Sequence, residues 1–128
     1  MPASSNTPLS VLVVDDNLAA AELLGDVLRS LGHRASVAGG GEQAIRVAVV
    51  SRPDAILMDL RMPDIDGWEA ARRIKTVMPE IALIAMSGAI SSADWAKARV
   101  AGCEAQITKP ITRSGLAEVL GTVCADRT

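Results

Sequence analysis

Five polar side chains stand directly after four short segments that are wholly or partly apolar, and their types suit one chemistry. They are Asp15 and Asp16 after residues 10–14, Asp59 after 55–58, Ser87 after 81–86 and Lys109 after 105–108. A carboxylate beside a metal ion, a lysine and a hydroxyl suits phosphoryl transfer, because the cations can neutralise charge on the phosphoryl oxygens while the carboxylate attacks. The product of that reaction would be an aspartyl phosphate.

The three carboxylates predict a cation among them. Two unit charges about 4 Å apart interact by roughly 4 kcal/mol at an effective dielectric near 20, so clustered carboxylates repel strongly. Lys109 and a divalent ion are the candidate cations, and ligands that are all oxygen favour Mg²⁺ or Mn²⁺ over zinc. The single histidine, His33, precedes the segment 34–38 instead of following it. If the apolar segments are strands of one parallel sheet, His33 lies at the opposite end of that sheet, and we interpret it as an ordinary loop residue.

Most of these residues also have a structural interpretation. The alternatives are a helix cap for Asp16 or Asn17, a turn for Ser87 and a solvated loop for Lys109. Asp59 is harder to explain in this way, because Asp66 and Glu69 already have capping spacing for the helix that follows. Since all these residues fall at strand ends together, we favour the functional interpretation.

The elements that would position these residues alternate between strands and helices. Strands are predicted at 10–14, 34–38, 55–58, 81–86 and 105–108. Helical spacing relates Leu24, Val27, Leu28 and Leu31; Ile45, Ala48 and Val49; Ala70, Ile74, Val77 and Met78; and Leu116, Val119, Leu120 and Val123. A fifth helix is predicted over 92–101, where Ser91 and Asp94 have capping-box spacing. This alternation predicts an α/β fold with a parallel sheet covered on both faces and the two less apolar strands, 34–38 and 105–108, at its edges.

The composition fits one globular domain with an aliphatic core. The chain has 128 residues, of which 49% are hydrophobic and 22% charged, and it contains no Phe or Tyr. We expect a flexible leader at 1–8, a domain at 9–124 and a tail at 125–128. Cys103 and Cys124 lack metal-binding spacing and are interpreted as buried apolar residues.

Charge and hydropathy exclude several classes of function. The net charge is −2, without a basic stripe, which argues against direct nucleic-acid binding. The longest aliphatic runs are far shorter than a membrane span, and the N-terminus lacks a signal-peptide pattern. These features predict a soluble, cytoplasmic protein without membrane contact.

Four motifs in order along the chain carry a family resemblance. VLVVDDN at 11–17, ILMDLRMPDIDG at 56–67, MSG at 86–88 and TKP at 108–110 resemble the receiver domain of two-component response regulators. The resemblance runs from about Leu9 to Cys124. It implies a flavodoxin-like, doubly wound sheet of five parallel strands in the order 2-1-3-4-5, with five helices on both faces.

The resemblance also implies a role for each site residue. Asp59 would accept a phosphoryl group from a histidine kinase or a histidine phosphotransfer protein. Mg²⁺ would be held by Asp15, Asp16, Asp59 and the main-chain carbonyl of Arg61. Lys109 would bind the phosphoryl group, and Ser87 would shift to hydrogen-bond to it. A downstream protein partner or an attached output domain would then read the phosphorylated state.

Further expectations follow from the same resemblance. Gly88 and Ala89 would leave room for phosphoryl transfer, and the Lys109–Pro110 peptide would be cis. The side chain of Arg61 would either screen the phosphoryl group from water or be solvated. A receiver is a phosphoacceptor that assists its own phosphorylation and dephosphorylation, so we do not expect a conventional enzyme.

One position departs from the family pattern. The family usually has Tyr or Phe three residues before the lysine, and its inward rotation relays phosphorylation to the face formed by the fourth helix, fifth strand and fifth helix. This chain has Gln106 there. Either Gln106 is a polar residue on an exposed edge strand, or it relays the signal by hydrogen bonding, or Trp95 on the fourth helix replaces the missing ring.

Two other functional classes remain open from the sequence. A Mg²⁺-dependent phosphatase of the haloacid-dehalogenase type would also use an aspartate nucleophile, but such enzymes normally carry a second acid where this chain has Arg61. A flavodoxin-like cofactor binder would need a phosphate-binding loop after the first strand, where this chain has bare acids that repel phosphate. The sequence is also compatible with a stand-alone receiver or with part of a larger regulator or hybrid kinase.

Overall fold

The computed structural model of the protein describes residues 8–60, 67–88 and 91–124. Over these residues five strands alternate with five helices: β1 (Ser10–Val14), α1 (Leu18–Ser30), β2 (Arg34–Ala38), α2 (Gly41–Ser51), β3 (Ala55–Asp59), α3 (Gly67–Val77), β4 (Ala82–Ser87), α4 (Ser92–Ala101), β5 (Ala105–Thr108) and α5 (Arg113–Val123). The strands form one parallel sheet in the order β2-β1-β3-β4-β5, which confirms the predicted fold class and strand order.

The burial of each strand follows its position in the sheet. Every residue of β3 and β4 is buried, and β1 is buried after its first residue. Partly buried and exposed residues alternate in β5, whereas β2 is exposed at Arg34, partly buried over its next three residues and buried only at Ala38. Continuous aliphatic runs therefore form the centre of the sheet and the less apolar segments its edges, as the sequence predicts.

Two hydrophobic cores lie on opposite faces of the sheet. One contains buried residues of α1 and α5, such as Leu28 and Leu116, together with Val11 and Val13 of β1. The other contains buried residues of α2, α3 and α4, such as Ile74, together with Leu12 and Val14 of β1. Successive side chains of a strand point to opposite faces, so each central strand contributes to both cores.

Side-chain caps fix the beginnings of three helices. The side chains of Asn17, Ser91 and Thr112 accept hydrogen bonds from backbone N–H groups in the first turns of α1, α4 and α5. The cap at Ser91, which bonds to the N–H of Asp94 at 3.0 Å, confirms the predicted start of α4. Asn17, rather than Asp16, caps α1.

The predicted buried faces of two helices are wrong in part. Val77 is 55% exposed and Val49 is 45% exposed. Small residues face the sheet instead, including Ala71 in α3 and Ala44 in α2. Helix backbones approach a sheet most closely where side chains are small, and this rotates the larger valines towards the edge of each interface.

The two cysteines and the single histidine lie away from the carboxyl edge of the sheet. Both cysteines are buried and free, and burial raises the pKa of the Cys103 thiol to about 11. His33 lies in the loop before β2, as predicted, and its Nδ1 accepts a hydrogen bond from the N–H of Leu9 at 3.0 Å. Over the described ranges, no helix has both the length and the hydropathy needed to span a bilayer. The tail at 125–128 and all of the predicted leader except residue 8 lie outside these ranges.

Candidate functional site

The carboxyl ends of four strands bring the predicted site residues to one edge of the sheet. Asp15 directly follows β1, Asp59 and Ser87 are the last residues of β3 and β4, and Lys109 directly follows β5. Parallel strands end at the same edge, so the polar residues at these ends lie around a shared cleft. The cleft lies beside β1 and β3, where the chain order of the strands reverses.

A cluster of three carboxylates occupies this edge. Oxygen atoms of Asp15, Asp16 and Asp59 all lie within 4.8 Å of one another. Asp15 and Asp59 are buried, with 3% and 7% exposure, whereas Asp16 is exposed. Two desolvated carboxylates this close require a compensating positive charge.

Lys109 supplies part of that charge. Its Nζ donates to Asp15 Oδ2 at 2.8 Å and to Asp59 Oδ2 at 3.4 Å. Burial by itself lowers the pKa of Lys109, but the hydrogen bond to Asp15 and the charge of Asp59 outweigh it, so the pKa is raised above its ordinary value. The ammonium group therefore stays charged beside the carboxylates at neutral pH.

Backbone groups hold these side chains in place. Asp15 Oδ1 accepts the N–H of Asn17 at 3.0 Å, so each oxygen of Asp15 has a partner. The N–H of Lys109 donates to the carbonyl of Ser87 at 2.8 Å, which links the ends of β4 and β5. The peptide between Lys109 and Pro110 is cis, as expected.

Two glycines near the site, Gly88 and Gly67, differ in the space around them. A Cβ added at Gly88 would meet no described atom within 4 Å, which agrees with the expected open space after Ser87. A Cβ added at Gly67 would lie 2.5 Å from the carbonyl oxygen of Asp59, so α3 begins in direct contact with the backbone of the acidic residue. We did not predict this second glycine contact, because residues 59 and 67 meet only in the folded chain.

Several predicted roles fall on residues outside the described ranges. These are the metal-binding carbonyl and the side chain of Arg61, the cap at Asp66 and the small side chain of Ala89. For these residues the expectations remain those of the sequence. Glu69, the partner predicted for Asp66, forms ion pairs with Arg72 and Arg73.

The residues considered as signal relays lie on β5 and α4. Gln106 is exposed on the edge strand β5. Trp95 on α4 is partly buried and packs against the core formed by α2, α3 and α4. The exposure of Gln106 fits its interpretation as a polar residue on an edge strand, and the relay roles considered for Gln106 and Trp95 remain predictions.

An apolar groove opens next to the acidic cluster. It has a volume of about 300 Å³, with Asp15 and Lys109 at its polar end. Leu23, Leu24 and Ile111 are among the apolar residues that line the remainder, between α1 and the segment before α5. Leu23 is 67% exposed, so this wall of the groove is accessible from solvent.

The cluster has the donor chemistry of a site for a hard divalent cation. Its candidate ligands are carboxylate oxygens, and three negative charges against one lysine leave two unit charges to neutralise. Fold and site together define a doubly wound α/β domain with an acidic cleft, able to hold a cation, at the carboxyl edge of its sheet.

Comparison with known proteins identifies the family that has this combination. The family model described as "Response regulator receiver domain" matches residues 11–121. DivK of Brucella anthropi, a polar-differentiation response regulator, is 31% identical over 121 residues, which are 93% of this chain and 98% of DivK. This chain belongs to the response regulator receiver domain family and is a receiver domain of two-component signalling systems.

Receiver domains within sensor kinases are also similar. The sensor histidine kinase RcsC of Salmonella typhi is 30% identical over 125 residues, which are 98% of this chain but 13% of RcsC. The receiver domain of the sensor histidine kinase PA1611 from Pseudomonas aeruginosa PAO1 has a TM-score of 0.85 and 32% identity, covering 94% of this chain and all of that domain. That structure holds a magnesium ion coordinated in its active-site cleft.

Proposed function

We propose that this receiver is a phosphorylation-operated switch in which Asp59 accepts the phosphoryl group. The observation that carries the proposal is the position of Lys109 Nζ, 3.4 Å from Asp59 and 2.8 Å from Asp15, beside three clustered carboxylates. A buried carboxylate with a fixed cation at its side is ready to attack an electrophilic phosphorus atom.

The reaction is a displacement at phosphorus. A carboxylate oxygen of Asp59 forms the new P–O bond while the bond from phosphorus to the donor nitrogen or oxygen breaks, and its electron pair leaves with the donor. Lys109 neutralises charge on the phosphoryl oxygens, and the hydroxyl of Ser87 hydrogen-bonds to the bound group. In hydrolysis, a water oxygen bonds to phosphorus while the bond from phosphorus to Asp59 breaks, which releases inorganic phosphate and restores the carboxylate. The chain thus assists both its own phosphorylation and its own dephosphorylation.

Mg²⁺ is the cation that the remaining charge favours. Asp15, Asp16 and Asp59 would hold it, with the main-chain carbonyl of Arg61 as the fourth ligand that the family resemblance implies; Mn²⁺ has compatible ligand chemistry. When bound, the ion supplies further neutralisation of the charge on the transferred group. Hydrogen bonds to the N–H of Asn17 and to Lys109 hold the carboxylate of Asp15 in place, which supports this ligand set.

A histidine kinase or a histidine phosphotransfer protein is the proposed donor, and it docks over the apolar groove. The groove adjoins Lys109 and Asp15, so a donor helix with apolar side chains against Leu23 and Ile111 would place a phosphohistidine beside Asp59. A downstream partner or an attached output domain reads the result. The length of the relatives, from 98% coverage of DivK to 13% of RcsC, is compatible with either arrangement.

Labelling with a small phosphodonor tests the proposal without a partner protein. Wild-type protein is incubated with acetyl phosphate and Mg²⁺, and its intact mass is measured with and without EDTA. We expect a gain of one phosphoryl group that is acid-stable, base-labile, dependent on metal and absent from Asp59→Asn. Asp26→Asn, an exposed carboxylate of α1, is the matched control and should label like the wild type. Sustained hydrolysis of a phosphate ester would instead favour a phosphatase.

Docking is tested by comparing two donors on one variant. Phosphotransfer from purified histidine kinases is screened to find a kinase that labels the wild-type protein. Leu23→Asp places a charge on the groove wall, so we expect slower transfer from that kinase and unchanged labelling by acetyl phosphate. Equal loss with both donors would mean that the variant damages the site itself, and no loss with either would exclude the groove as the docking surface.

A further inference from the structure

We infer that Trp68 carries the phosphorylation signal from the acidic site to α4, in place of an aromatic switch at position 106. The inference rests on the proposed phosphorylation of Asp59 and concerns what happens afterwards. Trp68 is the second residue of α3, and its indole ring reaches α4. Trp68 would act as a positioning residue that couples two parts of the fold.

The first step of the coupling is a backbone contact. The N–H of Gly67 donates to the carbonyl of Leu60 at 3.1 Å, and an added Cβ at Gly67 would lie 2.5 Å from the Asp59 carbonyl oxygen. The first turn of α3 therefore rests on the backbone of the residue that would be modified. Because packed interiors transmit strain, a shift of the Asp59 backbone displaces the start of α3.

The second step is a two-point contact between α3 and α4. Trp68 Nε1 donates a long hydrogen bond of 3.4 Å to the carbonyl of Asp94, in the first turn of α4. One turn further along, the ammonium group of Lys97 lies 4.2 Å from the centroid of the Trp68 ring, within the range of a cation–π interaction. The ring is thus held from two positions on the same face of α4.

The third observation is that the fully buried side chains of α4 are small. Its buried residues are two alanines, Ala98 and Ala101. Helices with few buried apolar contacts open and shift at low free-energy cost, so the contact with Trp68 matters for the position of α4 alongside the packing of Trp95. Trp68 and Trp95 pack against the same core, whereas Gln106 is exposed on β5.

Hydrogen exchange measured on phosphorylated protein tests this inference. The exchange rates of α4 peptides are compared with and without acetyl phosphate and Mg²⁺, and the phosphorylated fraction of the same samples is read from their intact mass. In wild-type protein we expect α4 exchange to change about fivefold or more, the lower range of typical coupling between sites. Peptides from α1 serve as an internal reference.

Variants separate the two relay positions. Trp68→Leu should still be phosphorylated but should reduce the α4 response to less than about twofold. Trp68→Phe keeps an aromatic ring under Lys97 and should therefore retain most of the α4 response. A residue that only filled space would not need to be aromatic for this response. If Trp68→Leu proves unstable, Lys97→Met takes its place in the comparison. This surface substitution removes the cation that lies over the Trp68 ring and should weaken the α4 response. Gln106→Ala should leave the response intact.

The outcomes distinguish this inference from the proposed function. Phosphorylated Trp68→Leu with a full α4 response, or Gln106→Ala without one, would overturn the relay through Trp68. Phosphorylated wild-type protein with unchanged α4 exchange would overturn it as well while leaving Asp59 as the acceptor. Absence of any mass gain in wild-type protein would instead refute the proposed function, and the relay with it.

Discussion

Replacing Asp16 by asparagine should raise the stability of the metal-free protein. Asp16 lies no more than 4.8 Å from the carboxylates of Asp15 and Asp59. At 4.8 Å, two unit charges repel by about 1 kcal/mol in a water-like dielectric and by about 3 to 4 kcal/mol at an effective dielectric near 20. Asp16 is exposed, so the lower figure applies to each of its two pairs, and the charge of Lys109 offsets part of their sum. We expect Asp16→Asn to raise the free energy of unfolding by about 1 kcal/mol in EDTA at low ionic strength.

Mg²⁺ should remove or reverse that advantage. A ligand that binds only the folded state stabilises it by about 2.7 kcal/mol when its concentration is 100 times the dissociation constant. Asp16→Asn loses one charged ligand and should gain less from Mg²⁺ than the wild type does. Urea unfolding in EDTA and over a series of Mg²⁺ concentrations measures both effects.

A matched variant controls for the loss of a surface charge. Asp26→Asn removes an exposed carboxylate that pairs with Arg29 at 3.1 Å, far along α1 from the cluster. It should change stability by less than about 0.5 kcal/mol, equally with and without Mg²⁺. If Asp16→Asn is no more stable than wild type in EDTA and responds to Mg²⁺ in the same way, then Asp16 neither repels its neighbours nor binds the metal.

Two further predictions concern stability away from the site. Burial lowers the pKa of His33, whose Nδ1 accepts the N–H of Leu9, so the folded state binds a proton less readily than the unfolded state. The free energy of unfolding should therefore be highest above the ordinary histidine pKa and decrease as the pH falls below that pKa. His33→Gln keeps a hydrogen-bond acceptor but does not titrate. In urea unfolding between about pH 7.5 and 5.5, its free energy of unfolding should decrease less than that of the wild type. Gly102 has φ of 113°, and an added Cβ would lie 2.5 Å from Lys75 Cγ, so Gly102→Ala should destabilise by at least about 1 kcal/mol. Gly121→Ala, in the last turn of α5 with open space around it, should instead stabilise by up to about 0.5 to 1 kcal/mol. Denaturation midpoints of the two variants that moved in the same direction would contradict this account.

The apolar pattern was sufficient to predict which residues meet at the carboxyl edge of the sheet, and the resemblance to receiver domains supplied the strand order. Asp15, Asp59 and Lys109 come together because parallel strands end at one edge, and this depends only on recognising the apolar runs before them. The polar type of each residue then predicts the charge of the cleft. The position of each polar residue after an apolar run is therefore enough to predict this part of the site, without knowledge of long-range contacts.

Contacts between distant segments could not be predicted in this way. Val77 has helical spacing from Ala70 and Ile74, yet it lies at the edge of the buried face because Ala71 shifts the centre of that face towards small residues. The hydrogen bond between Leu9 and His33 joins residues 24 positions apart, which periodicity does not report. The contact between Trp68 and α4 depends similarly on how two helices pack, not on either helix alone.

Identifying the modified residue tests the central claim most directly. Protein treated with acetyl phosphate and Mg²⁺ is reduced with borohydride, which converts an aspartyl phosphate to homoserine, and is then digested and sequenced by tandem mass spectrometry. We predict homoserine at position 59 alone, absent when Mg²⁺ is withheld and strongly reduced in Lys109→Met. Homoserine at Asp15 or Asp16 instead, or a phosphoryl group on a residue other than an aspartate, would contradict the assignment of Asp59 as the phosphoacceptor.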